Sequence, residues 1–267
     1  MAEPTVPNAI IGTLEDDDLF GTPLDDTIYG LAGNDLIVDD EGGNDTIITG
    51  DGLNVVEAGT GNDFVLGGIE DDEIYGEEGN DNIYAGDGLD IIDGGDGNDF
   101  IYGEEGDDTI DGGAGDDIVL GEAGLDTLTG GFGSDFLSGG DDDDIINSHN
   151  GRVSSNVIER DEIYGGAGAD VINLFTNYLG GTASTNPNRD GSKAIIFGFN
   201  KTEDLLGLLD DPASGRYTVR SSGNFMGSRR ADTVILRGSN TVAIVVDVAL
   251  RSTDLVQASL TPPAPIV

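Results

Sequence analysis

Residues 94–138 read GGDGNDFIY, GEEGDDTID, GGAGDDIVL, GEAGLDTLT, GGFGSDFLS, five blocks of nine. Asp99, Asp108, Asp117, Asp126 and Asp135 fall at the sixth place, and Ile101, Ile110, Val119, Leu128 and Leu137 at the eighth. Outward from this stretch the same phase runs from Gly12 to Asn147, fifteen units with one insertion, the ten-residue unit Asp39 to Ile48, where Gly42 and Gly43 restore the phase. The eighth place is aliphatic in every unit: Leu19, Ile28, Ile37, Ile47, Val56, Val65, Ile74, Ile83, Ile92 and the rest up to Ile146. One apolar residue per unit means one buried residue per unit. Places seven to nine therefore predict a very short strand whose middle side chain points inward. So short a strand is stable only when stacked on its neighbours at about 4.8 Å, which builds a continuous aliphatic row.

The first six places, typified by Gly94, Gly95, Asp96, Gly97, Asn98 and Asp99, suit a tight turn whose backbone carbonyls converge. If each unit is half a coil, turns alternate between two edges of a flattened roll. Asp81, Asp99, Asp117 and Asp135 then share one edge, and Asp72, Asp90, Asp108, Asp126 and Asp144 the other. Carboxylates about 5 Å apart in such a column repel by roughly 3 kcal/mol at an effective dielectric near 20. Residues 1–151 carry 41 of the 53 acidic residues and no lysine or arginine, so no side chain relieves that repulsion. A hard divalent cation between turns would, and calcium takes about six to eight oxygen ligands from carboxylates and carbonyls.

The blocks GGDGNDFIY and GGAGDDIVL resemble the GGxGxDxUx nonapeptide of the RTX family, the hemolysin-type calcium-binding repeats. The resemblance covers about half of the chain in one block, plus the later copy GGAGADVIN at Gly165 to Asn173. It implies an all-β fold, a right-handed parallel β-roll (β-solenoid), with several Ca2+ ions held between turns. It also implies export in an unfolded state through a type I secretion apparatus, with folding outside the cell on meeting calcium. Carried over residue by residue, the side-chain ligands are Asp35, Asp45, Asp63, Asp72, Asp81, Asp90, Asp99, Asp108, Asp117, Asp126, Asp135 and Asp144. The carbonyl ligands come from the turn glycines, among them Gly79, Gly94, Gly95, Gly97, Gly112, Gly113, Gly115 and Gly133.

Departures from the pattern grade the turns. Glu15 replaces a glycine in Gly12 to Phe20, Pro23 and Leu24 interrupt Gly21 to Tyr29, and Asn54 stands where an aspartate is expected. These turns are weak candidates for ligation, and the N-terminal ones read as a cap over the first coil. Glu70 and Asp142 at the fourth place weaken Asp72 and Asp144.

The chain divides into an N-terminal lead (1–11), the repeat roll (12–147), a loop insertion with a final coil (148–175), a second loop (176–192), a small β-rich C-terminal cap or secretion region (193–258) and a flexible tail (259–267). In the cap, Lys193 to Phe199, Tyr217 to Arg220, Thr233 to Arg237 and Thr241 to Val248 read as strands, and Glu203 to Leu209 as a short helix or turn.

The net charge of −42 sits almost wholly in the first half, which excludes nucleic acid as a partner because phosphates are repelled. The chain has no cysteine, hence no disulfide framework. Met1 to Gly12 lacks the basic and apolar regions of a signal peptide, and no apolar stretch is long enough to cross a bilayer.

Catalysis has little support. The one histidine, His149, has no second histidine for a zinc site and reads as a surface residue, and neither a GxSxG elbow nor GK[ST] occurs. Place nine carries Tyr29, Tyr75, Tyr84, Tyr102 and Tyr164, with Phe20 in the first unit. Stacking that stiffens the sheet is favoured over binding of surface polysaccharide. Arg216, Arg220, Arg229, Arg230 and Arg237 read as surface charge.

Two classes of function remain. One is a secreted, extracellular or cell-surface calcium-binding protein with a structural role and no enzyme activity. The other is the calcium-binding accessory module of a secreted enzyme or adhesin, which expects a catalytic domain ahead of the repeats. The start of the repeats at Gly12 argues against that second class.

Overall fold

Why nine residues make half a coil is visible in the pairing registers. A computed structural model describes residues 8–39, 42–149, 160–175, 194–197, 199, 204–210, 217–221, 233–237, 240–245 and 255–259. Each short run at places seven to nine forms a strand, and strands eighteen residues apart pair in parallel: Ile83 with Ile101, Ile101 with Val119, and Ile74 with Ile92. Alternate units thus build two sheets, of thirteen and eleven strands among the described residues. The chain is an all-β parallel solenoid.

The two sheets differ in width, which the nine-residue pattern alone does not announce. In one, strands such as Asn82–Asp87, Phe100–Glu105, Ile118–Ala123 and Phe136–Asp141 run six residues, through place nine into the next turn. In the other, Glu73–Tyr75, Ile91–Asp93, Thr109–Asp111 and Thr127–Thr129 stop after three. The next turn there joins its neighbours through isolated bridges, such as Glu78 to Asp96 and Asp96 to Ala114, and not through a continued strand.

The inward row is as the periodicity requires, with Ile28, Ile37, Ile47, Val56, Val65, Ile74, Ile83 and Ile101 all fully buried. Place one also points inward: Thr49, Ala58, Ala85 and Ser148 are buried there. Small residues at place one leave room between the two aliphatic rows.

Insertions do not disturb the stack. The ten-residue unit shifts one pairing in each sheet to nineteen residues, Tyr29 with Ile48 and Ile37 with Val56, and the insertion after Asn147 shifts one in each to twenty-six, Leu137 with Ile163 and Ile146 with Ile172. Each falls between strands and not within one, because a one-residue slip would turn the aliphatic row outward.

The C-terminal region prolongs the roll. Ala194–Phe197 and Leu205–Asp210 add in parallel to the two sheets, and Asn240–Val245 and Leu255–Ser259 add beyond them. Tyr217–Ser221 and Thr233–Arg237 extend the wide sheet as antiparallel strands. The reading of Glu203 to Leu209 as a short helix or turn is therefore corrected to a strand. Leu206 pairs with Ile172 and is fully buried, so a ready sheet edge overrides the local preference. The loop at 176–192, most of the insertion after Asn147, and Arg216, Arg229 and Arg230 lie outside the described residues.

Candidate metal centre

The aspartates of place six end each turn immediately before the strand, so the strand's alternation turns them inward. From Asp26 onward all are buried, Asp63 fully and Asp81, Asp90, Asp108, Asp117, Asp126 and Asp144 at 1% exposure, while Asp17 in the first turn is half-buried. They form two ladders. In the first, the Asp63 amide donates to Asp81 Oδ1, Asp81 to Asp99 Oδ1 and Asp99 to Asp117 Oδ1, at 2.8, 2.8 and 2.9 Å. Asp26 and Asp45 extend it at one end, Asp135 and Asp161 at the other. In the second, the Asp72 amide donates to Asp90 Oδ1, Asp90 to Asp108, Asp108 to Asp126 and Asp126 to Asp144. Asp35, Asn54, Asp170 and Asp204 continue this ladder. The structure thus brings together the aspartates that the repeat singles out, in the two columns the half-coil period requires.

From Asp35 in one ladder and Asp45 in the other, each carboxylate spends Oδ1 on the neighbouring turn. The other oxygen is buried without a hydrogen-bond donor in Asp35, Asp45, Asp63, Asp81, Asp90, Asp99, Asp108, Asp117, Asp126 and Asp144. A buried carboxylate oxygen with no donor is costly, and several stacked in a column are more so. Burial, foremost, pushes Asp63, Asp90, Asp99 and Asp126 up to about 6, Asp81, Asp108 and Asp144 to about 7, and Asp117 to about 8. Amide donation from the neighbouring turn opposes the rise, and for Asp117 the charges of Asp135 and Asp99 add to it. A cation that accepts these oxygens would remove the cost, so the donor set, all hard oxygen, fits calcium.

The glycines make room for those oxygens. A Cβ on Gly94, at place one, would come within 2.7 Å of Asp99 Oδ2 and 2.6 Å of the Gly112 carbonyl oxygen. At place four, Gly97 has φ +147°, and a Cβ there would lie 1.3 Å from the Gly79 carbonyl oxygen. The turns stack so closely that carbonyls face the strip where the carboxylates end.

The weak turns differ chemically. Thr22 donates through both its amide and its hydroxyl to Asp26 Oδ2, at 2.6 and 2.8 Å, and Thr13 does the same for Asp17 Oδ2 at 2.6 and 2.9 Å. These two turns satisfy the outer oxygen with protein donors. Threonine at place two was the signal in the sequence. Asn54 keeps the ladder bond, accepting from Asp35 at 3.0 Å, and gives its own amide nitrogen to Asp72 Oδ1. Asp72 Oδ2 receives Gly68 N–H at 3.2 Å, unlike its column neighbours.

Three features escape the sequence reading. Place five forms an outer ladder running the opposite way, with the Asn80 amide donating to Asn62 Oδ1 and Asn98 to Asn80 Oδ1. Asp39, at place one of the ten-residue unit, is fully buried and pushed up to about 8 by burial and by Asp45 and Asp26. His149, read as a surface residue, is fully buried, its ring 4.8 Å from that of Phe132, and burial lowers it to about 4. His149 is buried because it follows place one of a new unit, Ser148, whose amide donates to the Asn173 carbonyl and so still belongs to the stack.

The place-nine aromatics divide between the sheets. Tyr84 pairs with Tyr102 on the wide sheet, their rings 5.8 Å apart and stacked, and Tyr164 stacks on Phe197 at 4.7 Å. Phe20 and Tyr75 lie on the narrow sheet, where Tyr75 O–H donates to Glu73.

A parallel β-roll with buried aspartate ladders defines a class of repeat protein built around cations, and a comparison of families names it. The RTX calcium-binding nonapeptide repeat matches residues 11–152 in overlapping segments and 159–174, more than half of the chain. The chain belongs to this family, whose repeats bind calcium. The β-roll is a structural module and not a catalytic one. Among solved structures, the extracellular lipase LipA from Serratia marcescens is similar, at 18% identity and a TM-score of 0.28 over 76% of this chain and 41% of the lipase chain. This chain thus spans under half the length of that lipase. Comparison with curated proteins found no match. No helix among the described residues is long and apolar enough to cross a membrane.

Proposed function

We propose that this chain is a secreted calcium-responsive protein whose roll folds as ions fill the sites between its turns, and that its role outside the cell is structural rather than enzymatic. The observation that carries this reading is the row of buried Oδ2 atoms without donors, in a segment that has no lysine or arginine. The ligands are Asp35, Asp45, Asp63, Asp72, Asp81, Asp90, Asp99, Asp108, Asp117, Asp126, Asp135 and Asp144, with carbonyls of the turn glycines such as Gly79, Gly94, Gly97, Gly112, Gly115 and Gly133 completing each shell. Export through a type I apparatus suits a chain without cysteine whose anionic half repels itself until calcium arrives.

Circular dichroism in excess EDTA and after calcium addition tests it. The chelated chain should show coil and the calcium form strand. Asp99→Ala or Asp117→Ala should raise the calcium midpoint, while Glu57→Gln, on a sheet face, should not. Equal strand content in EDTA at neutral pH would refute the reading. The stacked Tyr84 and Tyr102 rings support stiffening of the sheet over glycan binding, and unchanged polysaccharide retention in Tyr84→Ala and Tyr102→Ala would agree with that.

A further inference from the structure

The rule of one inward carboxylate per turn fails at one place. Asp39 occupies place one of the ten-residue unit, where the other units carry glycine, alanine, threonine or serine. Its carboxylate fills the space under the preceding coil: a Cβ on Gly21 would lie 2.0 Å from Asp39 Cγ, so only glycine tolerates the approach. Asp39 is fully buried, no amide or hydroxyl donates to either of its oxygens, and the carboxyl of Asp45 is close enough to share a proton with it. It faces two more buried aspartates. Asp26, 1% exposed, has Oδ2 held by Thr22 and Oδ1 without a donor, and Asp45, 2% exposed, accepts the Asp26 amide on Oδ1 and has Oδ2 without one. One oxygen from each of the three lies within 4.8 Å of the others.

We propose that Asp26, Asp39 and Asp45 form a divalent-cation site of a second kind, with three carboxylates from neighbouring turns converging on one ion. Two charges about 4 Å apart repel by roughly 4 kcal/mol at an effective dielectric near 20, and three such pairs meet here. The ladder sites gather their side-chain oxygens one per turn. This site gathers three at once, and affinity for calcium rises with the number of ligand charges and the rigidity of the site. Thr22 already fixes the Asp26 carboxylate, so its free oxygen is aimed before the ion arrives. The site therefore fills at lower calcium than the ladders and holds the first coils together while the later ones are still open. This inference rests on the reading of the roll as a calcium binder but adds a ligand set that the nonapeptide does not contain.

Calorimetric titration of the full chain with calcium alone tests it, using Asp39→Asn, which removes the charge, and Asp39→Gly, which restores the residue of the repeat. The wild-type chain should show a first phase of one ion, at least about ten-fold tighter than the rest. Both Asp39 variants should lose that phase and keep the later ones, and Asp99→Ala should keep it. Circular dichroism at saturating calcium separates loss of the site from loss of the fold; if Asp39→Asn does not fold, Asp39→Gly carries the same reading. Titrations of both variants that match the wild type would mean that Asp39 only shares a proton with Asp45, and would overturn the proposal while leaving the ladder reading intact. A wild-type chain that takes up no calcium would sink both.

Discussion

Glu77, Glu104 and Glu122 hold φ values of 72°, 79° and 79° at place two, a left-handed backbone that Gly95 and Gly113 adopt at φ 97° in the units beside them. A side chain in that region costs about 1–2 kcal/mol, partly offset by the greater entropy that glycine loses on folding. Glu104 also stands beside Glu122 in the stack, so like charges add to the strain. Glu104→Gly is expected to stabilise the calcium-loaded roll by about 0.5–1 kcal/mol, read as a higher denaturant midpoint. At the same scale, the ligand aspartates were legible because they recur in phase, whereas Asp39 was not. A residue at a place where the repeat has glycine looks like an error of register until the fold shows that place one faces the interior.

At the scale of the strand, energy comes from stacking. Ile110 is 1% exposed between Ile92 and Leu128, while Ile91, which precedes Ile92 in the neighbouring strand, is 40% exposed. Removing the buried side chain loses its transfer energy and leaves a cavity. Ile110→Ala should therefore cost about 2–5 kcal/mol. Ile91→Ala should stay within roughly 0.5 kcal/mol, as surface changes do. Equal losses in calcium-saturated denaturation curves would contradict the one-in, two-out geometry. The period alone predicts this contrast. It does not predict that one sheet carries six-residue strands and the other three, because that difference depends on how each turn leans on the turn before it.

At the scale of the whole molecule, charge decides when the roll forms. Burial raises Asp63, Asp81, Asp90, Asp99, Asp108, Asp117, Asp126 and Asp144 to between about 6 and about 8, above the ordinary value near 4 in the unfolded chain. Groups raised in this way stabilise the fold below the unfolded value, and that contribution is lost as pH rises through the folded values. Without calcium, strand content should thus be highest at about pH 4 and fall away toward pH 8, as circular dichroism in EDTA would show. With calcium the dependence reverses. Binding needs the charged carboxylate, so it should release protons below about pH 8, and the calcium midpoint should fall from pH 6 to pH 8. A midpoint that rises with pH would refute the ladder as ligand.

The sequence by itself determined the nine-residue half-coil, the aliphatic row, the two aspartate columns and the family, because a strictly repeated environment writes the same residue at the same place many times over. Only the tertiary structure decided what occurs once. It placed Leu205–Asp210 on an open sheet edge, buried His149 against Phe132, tied one oxygen each of Asp17 and Asp26 to threonine donors, and set Asp39 among other carboxylates. Each of these depends on a neighbour one coil away, and contacts across coils leave no local pattern unless they repeat.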